Sequence, residues 1–222
     1  MSRISYADQL DIFDPDRWTW PVHAIGMGGI GSSIVAPLVK LGISELHMWD
    51  DDRVEPHNIP AQALYRPSDI GMFKVDAAQQ YFVRQEAGCK IVVHRERVTR
   101  DTQIEGIAIS GVDSMVSRHD VWSDVAWNGM VPLYMDGRIG GEKSMLLTVD
   151  PCNPEHVAFY EEWLFDDSEA ASLPCAARTI IHSPQQIATW VTTNLTLFAR
   201  GKSPKTSLMA NLQGMQYAVS KS

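Results

Sequence analysis

The chain has 222 residues, of which 45% are hydrophobic and 21% are charged, and its net charge at pH 7 is −8. This length and composition are typical of one packed domain and exclude a disordered chain. The negative net charge argues against a nucleic-acid backbone as the main partner. We therefore expect a single globular domain over residues 1–222, with no nucleic-acid partner.

The cysteines and the overall hydropathy narrow the class further. Cys89, Cys152 and Cys175 are odd in number and far apart, which argues against a disulfide framework. No Cys-x-x-Cys pair occurs, so we expect no zinc. No charged-then-apolar leader opens the chain and no apolar run has membrane length, so we expect a cytoplasmic protein without a membrane partner.

The first elements in chain order predict a nucleotide site. A strand over 22–25 leads into the turn Gly26-Met27-Gly28-Gly29-Ile30-Gly31-Ser32, and a helix over 31–41 follows. A glycine-rich turn before a helix lets backbone N–H groups approach phosphate oxygens, and the helix dipole favours the anion. A second strand, over 46–49, ends at Asp50, where such folds place a carboxylate on the ribose hydroxyls.

The later elements alternate between helix and strand. Three prolines make 53–71 an irregular segment over the site. The pattern then predicts helices over 74–87 and 114–128, strands over 90–93, 107–110 and 133–135, and an added antiparallel strand over 144–149. An exposed crossover loop over about 161–182 precedes a long helix, which a Ser183 cap and Pro184 begin and Arg200 ends. The tail from Ser203 shows no clear pattern.

This alternation predicts the fold class. We expect an α/β, Rossmann-like, doubly wound and mostly parallel sheet, with helices on both faces and added antiparallel strands. Ligands of such sheets bind at the carboxyl ends of the strands, where the glycine turn, the acidic residues at 50–52 and Asp113 all fall.

Several short motifs follow the glycine turn in a specific order. An acidic run, Asp50-Asp51-Asp52-Arg53-Val54, precedes Asn58 and Gln62, and then come Gly71-x-x-Lys74-x-x-Ala77 and the strand-end Asp113. Together with the turn, these residues resemble the ubiquitin-activating-enzyme-like family of ThiF, MoeB and HesA adenylyltransferases. The resemblance spans residues 22 to 200.

The resemblance implies a role for each matching residue. The residues that cradle the phosphates would be Gly26, Gly28, Gly29, Gly31 and Ser32. Asp50 and Asp52 would hold the ribose, although a solvated acidic turn is the simpler alternative for Asp50. Asn58 and Gln62 would bond phosphate oxygens. Lys74, otherwise a surface lysine, would neutralise the β- and γ-phosphates, and Asp113 would hold Mg²⁺.

One position departs from the family's pattern. Ala61 stands where the family has an arginine that, in homodimers, reaches into the neighbouring subunit's ATP site. Either another cation, among Arg53, Arg66 and Arg138, replaces it, or ATP turnover is weakened. Arg118 matches another family arginine, for which we expect a structural pairing.

Cys175 is the candidate nucleophile. It lies on the predicted crossover loop, where similar proteins carry an acyl-accepting or sulfur-carrying cysteine, and Arg178 is a nearby cation that would lower the thiol pKa. The alternative is a free, modestly buried cysteine. Cys89 and Cys152 are expected to be packing residues. His57 and His182 are expected near the site in structural roles.

The function implied is an ATP- and Mg²⁺-dependent adenylyltransferase. It would activate the C-terminal carboxylate of a small ubiquitin-like or sulfur-carrier protein that ends in Gly-Gly, as an acyl-AMP, with possible transfer to Cys175. The family also implies a homodimer. Two alternatives stay open: a catalytically silent partner-binding scaffold, which Ala61 suggests, and an NAD-dependent oxidoreductase using the same glycine turn. Cofactor sulfuration, protein conjugation and peptide modification are all open as pathways.

Overall fold

A computed structural model describes residues 4–85, 88–165 and 180–220. Its centre is an eight-stranded sheet. The strands are β1 (Val22–Ile25), β2 (Glu45–Trp49), β3 (Lys90–His94), β4 (Ile107–Ser110), β5 (Leu133–Gly140), β6 (Lys143–Val149), β7 (Ser207–Asn211) and β8 (Gln216–Val219). Their order across the sheet is β3-β2-β1-β4-β5-β6-β7-β8.

The sheet has a parallel half and an antiparallel half. The strands β3, β2, β1, β4 and β5 pair in parallel, and β6, β7 and β8 add antiparallel neighbours. The strand order reverses between β1 and β4, which is the crevice where open α/β sheets bind ligands. The predicted α/β, mostly parallel sheet with added antiparallel strands is confirmed.

Helices cover both faces of the sheet. They are α1 (Gly29–Leu41), α2 (Lys74–Arg84), α3 (Met115–Val125), α4 (Pro154–Glu161) and α5 (His182–Ala199). The apolar sides of α1, α2 and α5 form one buried cluster with Val22, Leu46 and Met48. The apolar sides of α3 and α4 form a second cluster with Ile25 and Trp49 on the other face. Alternate residues of the strands thus face opposite layers.

One local prediction is wrong, and two parts of the fold were not predicted. The helix α4 was not predicted, although Asn153 caps it by accepting the backbone N–H of Glu155 and of His156, and Pro154 is its first residue. Ser183 does not cap α5, because that helix begins at His182 and the Ser183 hydroxyl donates to the Gly141 carbonyl at 2.8 Å. The tail contributes β7 and β8, which close the antiparallel half of the sheet.

The packing prediction for the cysteines is half right. Cys89 is half-buried against the larger core cluster, and burial raises the pKa of its thiol to about 12. Cys152 is exposed, so the expectation that it packs in the core is wrong. Within the described ranges, no helix is both long enough and apolar enough to span a bilayer.

Candidate functional site

The glycine turn joins the end of β1 to the first turn of α1. Gly26 has a left-handed φ of +83°, and its N–H donates to the Trp49 carbonyl of β2 at 2.8 Å. A Cβ at Gly31 would overlap the Gly26 carbonyl oxygen, so only glycine fits there. Among the described residues, a Cβ at Gly28 would meet nothing within 4 Å, and no side chain caps α1. The helix N-terminus therefore faces open space, as an anion site requires.

Asp50 braces this turn from the end of β2. Its Oδ2 accepts the Met27 N–H at 2.6 Å, and its Oδ1 accepts the Asp52 N–H at 2.8 Å. The residue is buried, and burial raises the pKa of its carboxyl above the usual value, against the opposing effect of Lys74 and the two N–H groups. Asp50 thus fixes the shape of the turn as well as lying beside it.

Lys74 is the first residue of α2 and is buried next to the same carboxylates. Its Nζ lies 2.7 Å from Asp52 Oδ2 and 3.8 Å from Asp50 Oδ1. Its backbone N–H also donates to the Asp52 carbonyl at 3.0 Å. The Asp52 side chain is 57% exposed, so one side of this ion pair faces solvent. The structure therefore brings Lys74, Asp50 and Asp52 together beside the glycine turn.

Ser32 holds the irregular segment against α1, and Asn58 and Gln62 lie within that segment. Asn58 is buried in the 3₁₀ turn Pro56–Asn58, where its Oδ1 accepts the Glu55 N–H at 2.8 Å. The Ser32 hydroxyl accepts the Ala63 N–H at 3.0 Å. The Gln62 Oε1 is buried and has no hydrogen-bond partner among the described residues. Gln62 therefore keeps a free side-chain hydrogen-bonding group.

Asp113 follows the end of β4 and is exposed. Just before it, the Gly111 N–H donates to the Ile25 carbonyl of β1 at 2.8 Å, and a Cβ at Gly111 would lie 2.9 Å from the Ile30 side chain. The β4 end thus packs against the first turn of α1. The predicted Mg²⁺ residue is at the carboxyl edge of the sheet, next to the turn.

Acidic side chains cluster at this edge. Among the described residues, Asp50, Asp51 and Asp52 form the one group of three candidate metal ligands whose ligand atoms lie within 4.8 Å of one another. Arg97 donates to both oxygens of Asp51, and this pairing raises the pKa of the guanidinium. Carboxylate oxygens are ligands that Mg²⁺ accepts.

A second charged cluster lies in the middle of β5, level with the end of β4. Asp136 is fully buried and accepts from Arg118 Nε at 3.2 Å, from Arg138 Nε at 2.8 Å and from the Tyr160 hydroxyl at 3.0 Å. Arg118 is therefore in a structural pairing, as predicted. Neither its partner Asp136 nor Tyr160, which donates to the same carboxylate, was predicted from the sequence, where the only signal is the Asp136-x-Arg138 pair after the predicted strand.

The three arginines considered as replacements for the missing one differ in environment. Arg53 is exposed, lies 4.0 Å above the Phe73 ring and donates to the Gly71 carbonyl at 2.7 Å. Arg66 is exposed at the start of the 3₁₀ turn Pro67–Asp69. Arg138 is mostly buried beside Asp136. That one of these arginines compensates for Ala61 stays a prediction.

Three histidines that the sequence analysis did not single out stack across β1, β2 and β3. The His23 and His47 ring centroids lie 4.4 Å apart, and His47 Nδ1 lies 3.0 Å from His94 Nε2. Burial lowers the pKa of His23 to about 4. His57 pairs with Glu55 at 3.2 Å, and His182 lies 3.5 Å from Glu142.

The candidate nucleophile cannot be placed in this geometry. Cys175 and its neighbouring cation Arg178 lie outside the described residues. The predicted crossover loop, over about 161–182, is described only at its two ends.

The fold and the edge of the sheet define a class: an α/β protein with a glycine turn, a buried lysine and an acidic cluster at its switch point. More specifically, residues 19–220 match the ThiF family, and the chain belongs to that family. This confirms the resemblance inferred from the glycine turn and the motifs that follow it.

Named relatives show similarity over part of their length. The chain is 29% identical over 122 residues to the Nedd8-activating enzyme E1 catalytic subunit of Drosophila melanogaster, which covers 53% of this chain and 27% of that protein. It is 26% identical over 145 residues to the adenylyltransferase and sulfurtransferase UBA4 of Saccharomyces cerevisiae, covering 63% and 33%. The match thus spans about a quarter to a third of these relatives.

Solved structures share the fold at low sequence identity. E. coli MccB with AMPCPP and MccA superposes with a TM-score of 0.74 at 14% identity, covering 93% of this chain and 65% of that one. PaaA superposes with a TM-score of 0.74 at 19% identity, covering 93% and 74%. These likenesses establish the fold alone.

Proposed function

We propose that residues 1–222 form one adenylation domain that uses ATP and Mg²⁺ to activate a terminal carboxylate as an acyl-AMP. The observation that carries the proposal is the position of Lys74. Its side chain is buried, and its Nζ lies 2.7 Å from Asp52 Oδ2. It lies beside the glycine-rich N-terminus of α1, which no side chain of the described residues caps. The lysine ammonium group in that position would neutralise the charge of a polyphosphate bound at the turn.

The residues present fit ATP. The open space at Gly28 admits phosphate oxygens close to the backbone, and the dipole of α1 favours them. Rotating the Gln62 amide by 180° would present its NH₂ group, a phosphate donor, in place of the unpartnered oxygen. Asp50 and Asp52, which lie beside the turn, are the residues that we propose to hold the ribose. Asp113 and the neighbouring carboxylates suit Mg²⁺, which when bound neutralises phosphate charge.

The proposed reaction exchanges one bond at phosphorus. A carboxylate oxygen of the donor attacks the α-phosphorus of ATP, and the bond from that phosphorus to the oxygen bridging to the β-phosphate breaks. Pyrophosphate leaves with the bonding electrons, and the donor becomes an acyl-AMP. Lys74 and the α1 N-terminus stabilise the charge that develops on the leaving group.

The relatives support the class of donor. Their names describe activation of Nedd8 and combined adenylyl and sulfur transfer, so we propose a small ubiquitin-like or sulfur-carrier protein ending in Gly-Gly. We further propose that Cys175 receives the acyl group: its thiolate sulfur attacks the acyl carbon and AMP leaves. A homodimer and a cytoplasmic location complete the proposal.

A specific substitution favours a second candidate. Ala61 stands at the end of the 3₁₀ turn over the site, where the family's arginine would be, and its side chain carries no charge. A domain that binds the donor without activating it would retain the fold and lose this cation. That scaffold function predicts donor binding without any ATP chemistry.

ATP–pyrophosphate exchange in the presence of a panel of Gly-Gly-ended carrier proteins tests the two candidates. We expect exchange with a cognate donor and a loss of about 100-fold or more in Lys74→Ala. Lys40→Ala, at an exposed lysine of α1, is the matched control and should keep full exchange. Donor binding without exchange supports the scaffold, and a bound nicotinamide with hydride transfer would support the oxidoreductase.

The role of Cys175 has a separate test. A donor adduct that thiols release should form on the wild type and be absent from Cys175→Ala. Cys152→Ala removes an exposed cysteine elsewhere and should leave the adduct unchanged. An adduct that survives Cys175→Ala rules out the nucleophile assignment.

A further inference from the structure

The ammonium group of Lys74 already has two carboxylate partners beside the glycine turn. Its Nζ donates to Asp52 Oδ2 at 2.7 Å and lies 3.8 Å from Asp50 Oδ1. The lysine side chain is only 8% exposed, so little water screens these charges from one another. One ammonium group and two carboxylates leave a local net charge of about −1, which repels an incoming phosphate. Lys74 can attract a polyphosphate only after one of these carboxylates is drawn away.

The two carboxylates are held in different ways. Asp50 is buried, and its oxygens accept the backbone N–H groups of Met27 and Asp52 at 2.6 and 2.8 Å. These bonds shape the glycine turn, so Asp50 cannot leave Lys74 without disturbing the turn. The Asp52 side chain is 57% exposed, and Lys74 is its one hydrogen-bond partner among the described residues. Asp52 is therefore the carboxylate that can separate from the lysine.

The backbone keeps Asp52 and Lys74 adjacent when their side chains part. The Lys74 N–H donates to the Asp52 carbonyl at 3.0 Å, and the next residue along, Arg53, forms a β-bridge with Phe73. These contacts join the end of β2 to the start of α2. An exposed side chain changes rotamer without any change in the backbone. The Asp52 carboxylate can thus turn towards solvent while Lys74 stays beside the turn.

A divalent cation offers Asp52 a stronger partner than the lysine. The ligand atoms of Asp50, Asp51 and Asp52 lie within 4.8 Å of one another, and Mg²⁺ takes carboxylate oxygens as ligands. Asp51 is paired with Arg97 at 2.9 Å and makes no printed contact with the lysine. A cation bound at this edge would therefore draw the Asp52 carboxylate from Lys74 and leave the ammonium group available to a phosphate.

We propose that Asp52 is a positioning residue that occupies Lys74 until a divalent cation takes its carboxylate, so that metal and nucleotide bind cooperatively. Such coupling is reciprocal, since each ligand favours the state in which the ion pair is open. The inference rests on the proposed function for the identity of the nucleotide. It is compatible with the proposed ribose contact, because Lys74 bonds only Oδ2 and the second oxygen of Asp52 stays available.

The test measures binding of a fluorescent, non-hydrolysable ATP analogue to the full chain, once in EDTA and once in Mg²⁺. Asp52→Asn removes the charge that holds Lys74 but keeps a side-chain oxygen for the ribose. In EDTA, this variant should bind the analogue about fivefold more tightly than the wild type, because the ammonium group is free. The factor by which Mg²⁺ tightens binding should be smaller in the variant by the same ratio.

Two further variants separate release of the lysine from a general effect of charge. Glu55→Gln is the matched control, since it removes one negative charge from a side chain that is 63% exposed and pairs with His57. Its gain in EDTA should be less than about twofold, because exposed charges are screened. In a Lys74→Met background, Asp52→Asn should give no gain, as a double-mutant cycle requires of a pair that acts through its own contact.

The inference is overturned if Asp52→Asn binds the analogue no more tightly than the wild type in EDTA, or if its gain persists with Lys74→Met. Should Asp52→Asn not fold, Asp52→Ser also removes the charge, and the same gain is expected. The gain without ATP–pyrophosphate exchange refutes the proposed adenylation and leaves the inference standing, whereas exchange without the gain does the reverse. A wild type that binds the analogue in neither EDTA nor Mg²⁺ overturns both.

Discussion

The two charged clusters at the carboxyl edge of the sheet differ in both sign and solvation. At the end of β2, three aspartates face Lys74 and Arg97, and two of these aspartates are exposed. In the middle of β5, two arginines face one aspartate that is fully buried. Strands β1 and β4 thus separate a net negative, partly exposed cluster from a net positive, buried one.

Solvent exposure determines which of the two clusters can exchange its binding partners. Exposed carboxylates are hydrated, so a cation or a ribose hydroxyl can replace water at small cost. Buried charges are not hydrated, so each one depends on the hydrogen bonds that the fold supplies. The β2 cluster is therefore suited to binding, whereas the β5 cluster is structural.

The largest expected effect is the loss of the buried carboxylate. Asp136→Asn leaves Arg118 and Arg138 without a counter-charge and should lower the free energy of unfolding by about 3–5 kcal/mol. Asp52→Asn removes a carboxylate that is 57% exposed and should cost under about 1 kcal/mol. Urea unfolding of both variants measures the contrast, and equal losses would refute the distinction between the clusters.

The next largest effect is the contribution of His23, on β1, to the pH dependence of stability. Burial lowers the pKa of His23 from 6.5 to about 4, so the unfolded chain binds this proton before the folded one. The stability from neutral His23 is fully present above pH 6.5 and is lost as the pH falls towards 4. That loss should be about 3 kcal/mol for this group.

Urea unfolding at pH 7 and at pH 4 isolates the contribution. His23→Gln should reduce the difference in unfolding free energy between the two pH values, since glutamine does not titrate. His119→Gln, at an exposed histidine of α3, should leave the difference as in the wild type. A His23→Gln protein with the full wild-type acid sensitivity would show that another group causes it.

The sequence predicted the features that are local along the chain. The glycine turn, the acidic strand end and Lys74 are each written in a few consecutive residues, and the parallel sheet follows from the alternation of helices and strands. The α4 helix could have been found in the same way, because Asn153-Pro154 carries the same cap-and-proline signal that was recognised at Ser183-Pro184.

The missed features depend on pairing between strands. The stack of His23 on His47 exists because β1 and β2 are aligned in that register, and the Asp136 cluster exists because β5 runs beside β4 and α3. Neither juxtaposition is encoded by spacing within one segment. Ser183 was misassigned for a related reason, since its hydroxyl bonds Gly141 of the distant β5–β6 hairpin.

Two substitutions in the glycine turn separate its structural role from its proposed role in phosphate binding. Gly31→Ala forces a methyl group into the Gly26 carbonyl and should cost about 1–3 kcal/mol of unfolding free energy. The methyl group of Gly28→Ala would meet no atom of the described residues within 4 Å, so this variant should fold normally. The same methyl group enters the proposed phosphate space and should weaken ATP binding. Thermal unfolding and fluorescent-nucleotide titration measure the two properties. A Gly28→Ala protein with unchanged ATP affinity would contradict the proposed phosphate position.

The smallest effect is expected where both partners of an ion pair are exposed. Arg97 donates to Asp51 at 2.9 Å with 65% of its side chain in solvent, so Arg97→Gln should change the free energy of unfolding by less than about 1 kcal/mol. Because salt screens exposed pairs, the small difference should shrink further at high ionic strength. Urea unfolding at low and high salt measures both quantities. A loss as large as that of Asp136→Asn, or one that salt leaves unchanged, would mean that geometry alone, and not solvation, sets the strength of charge pairs at this edge.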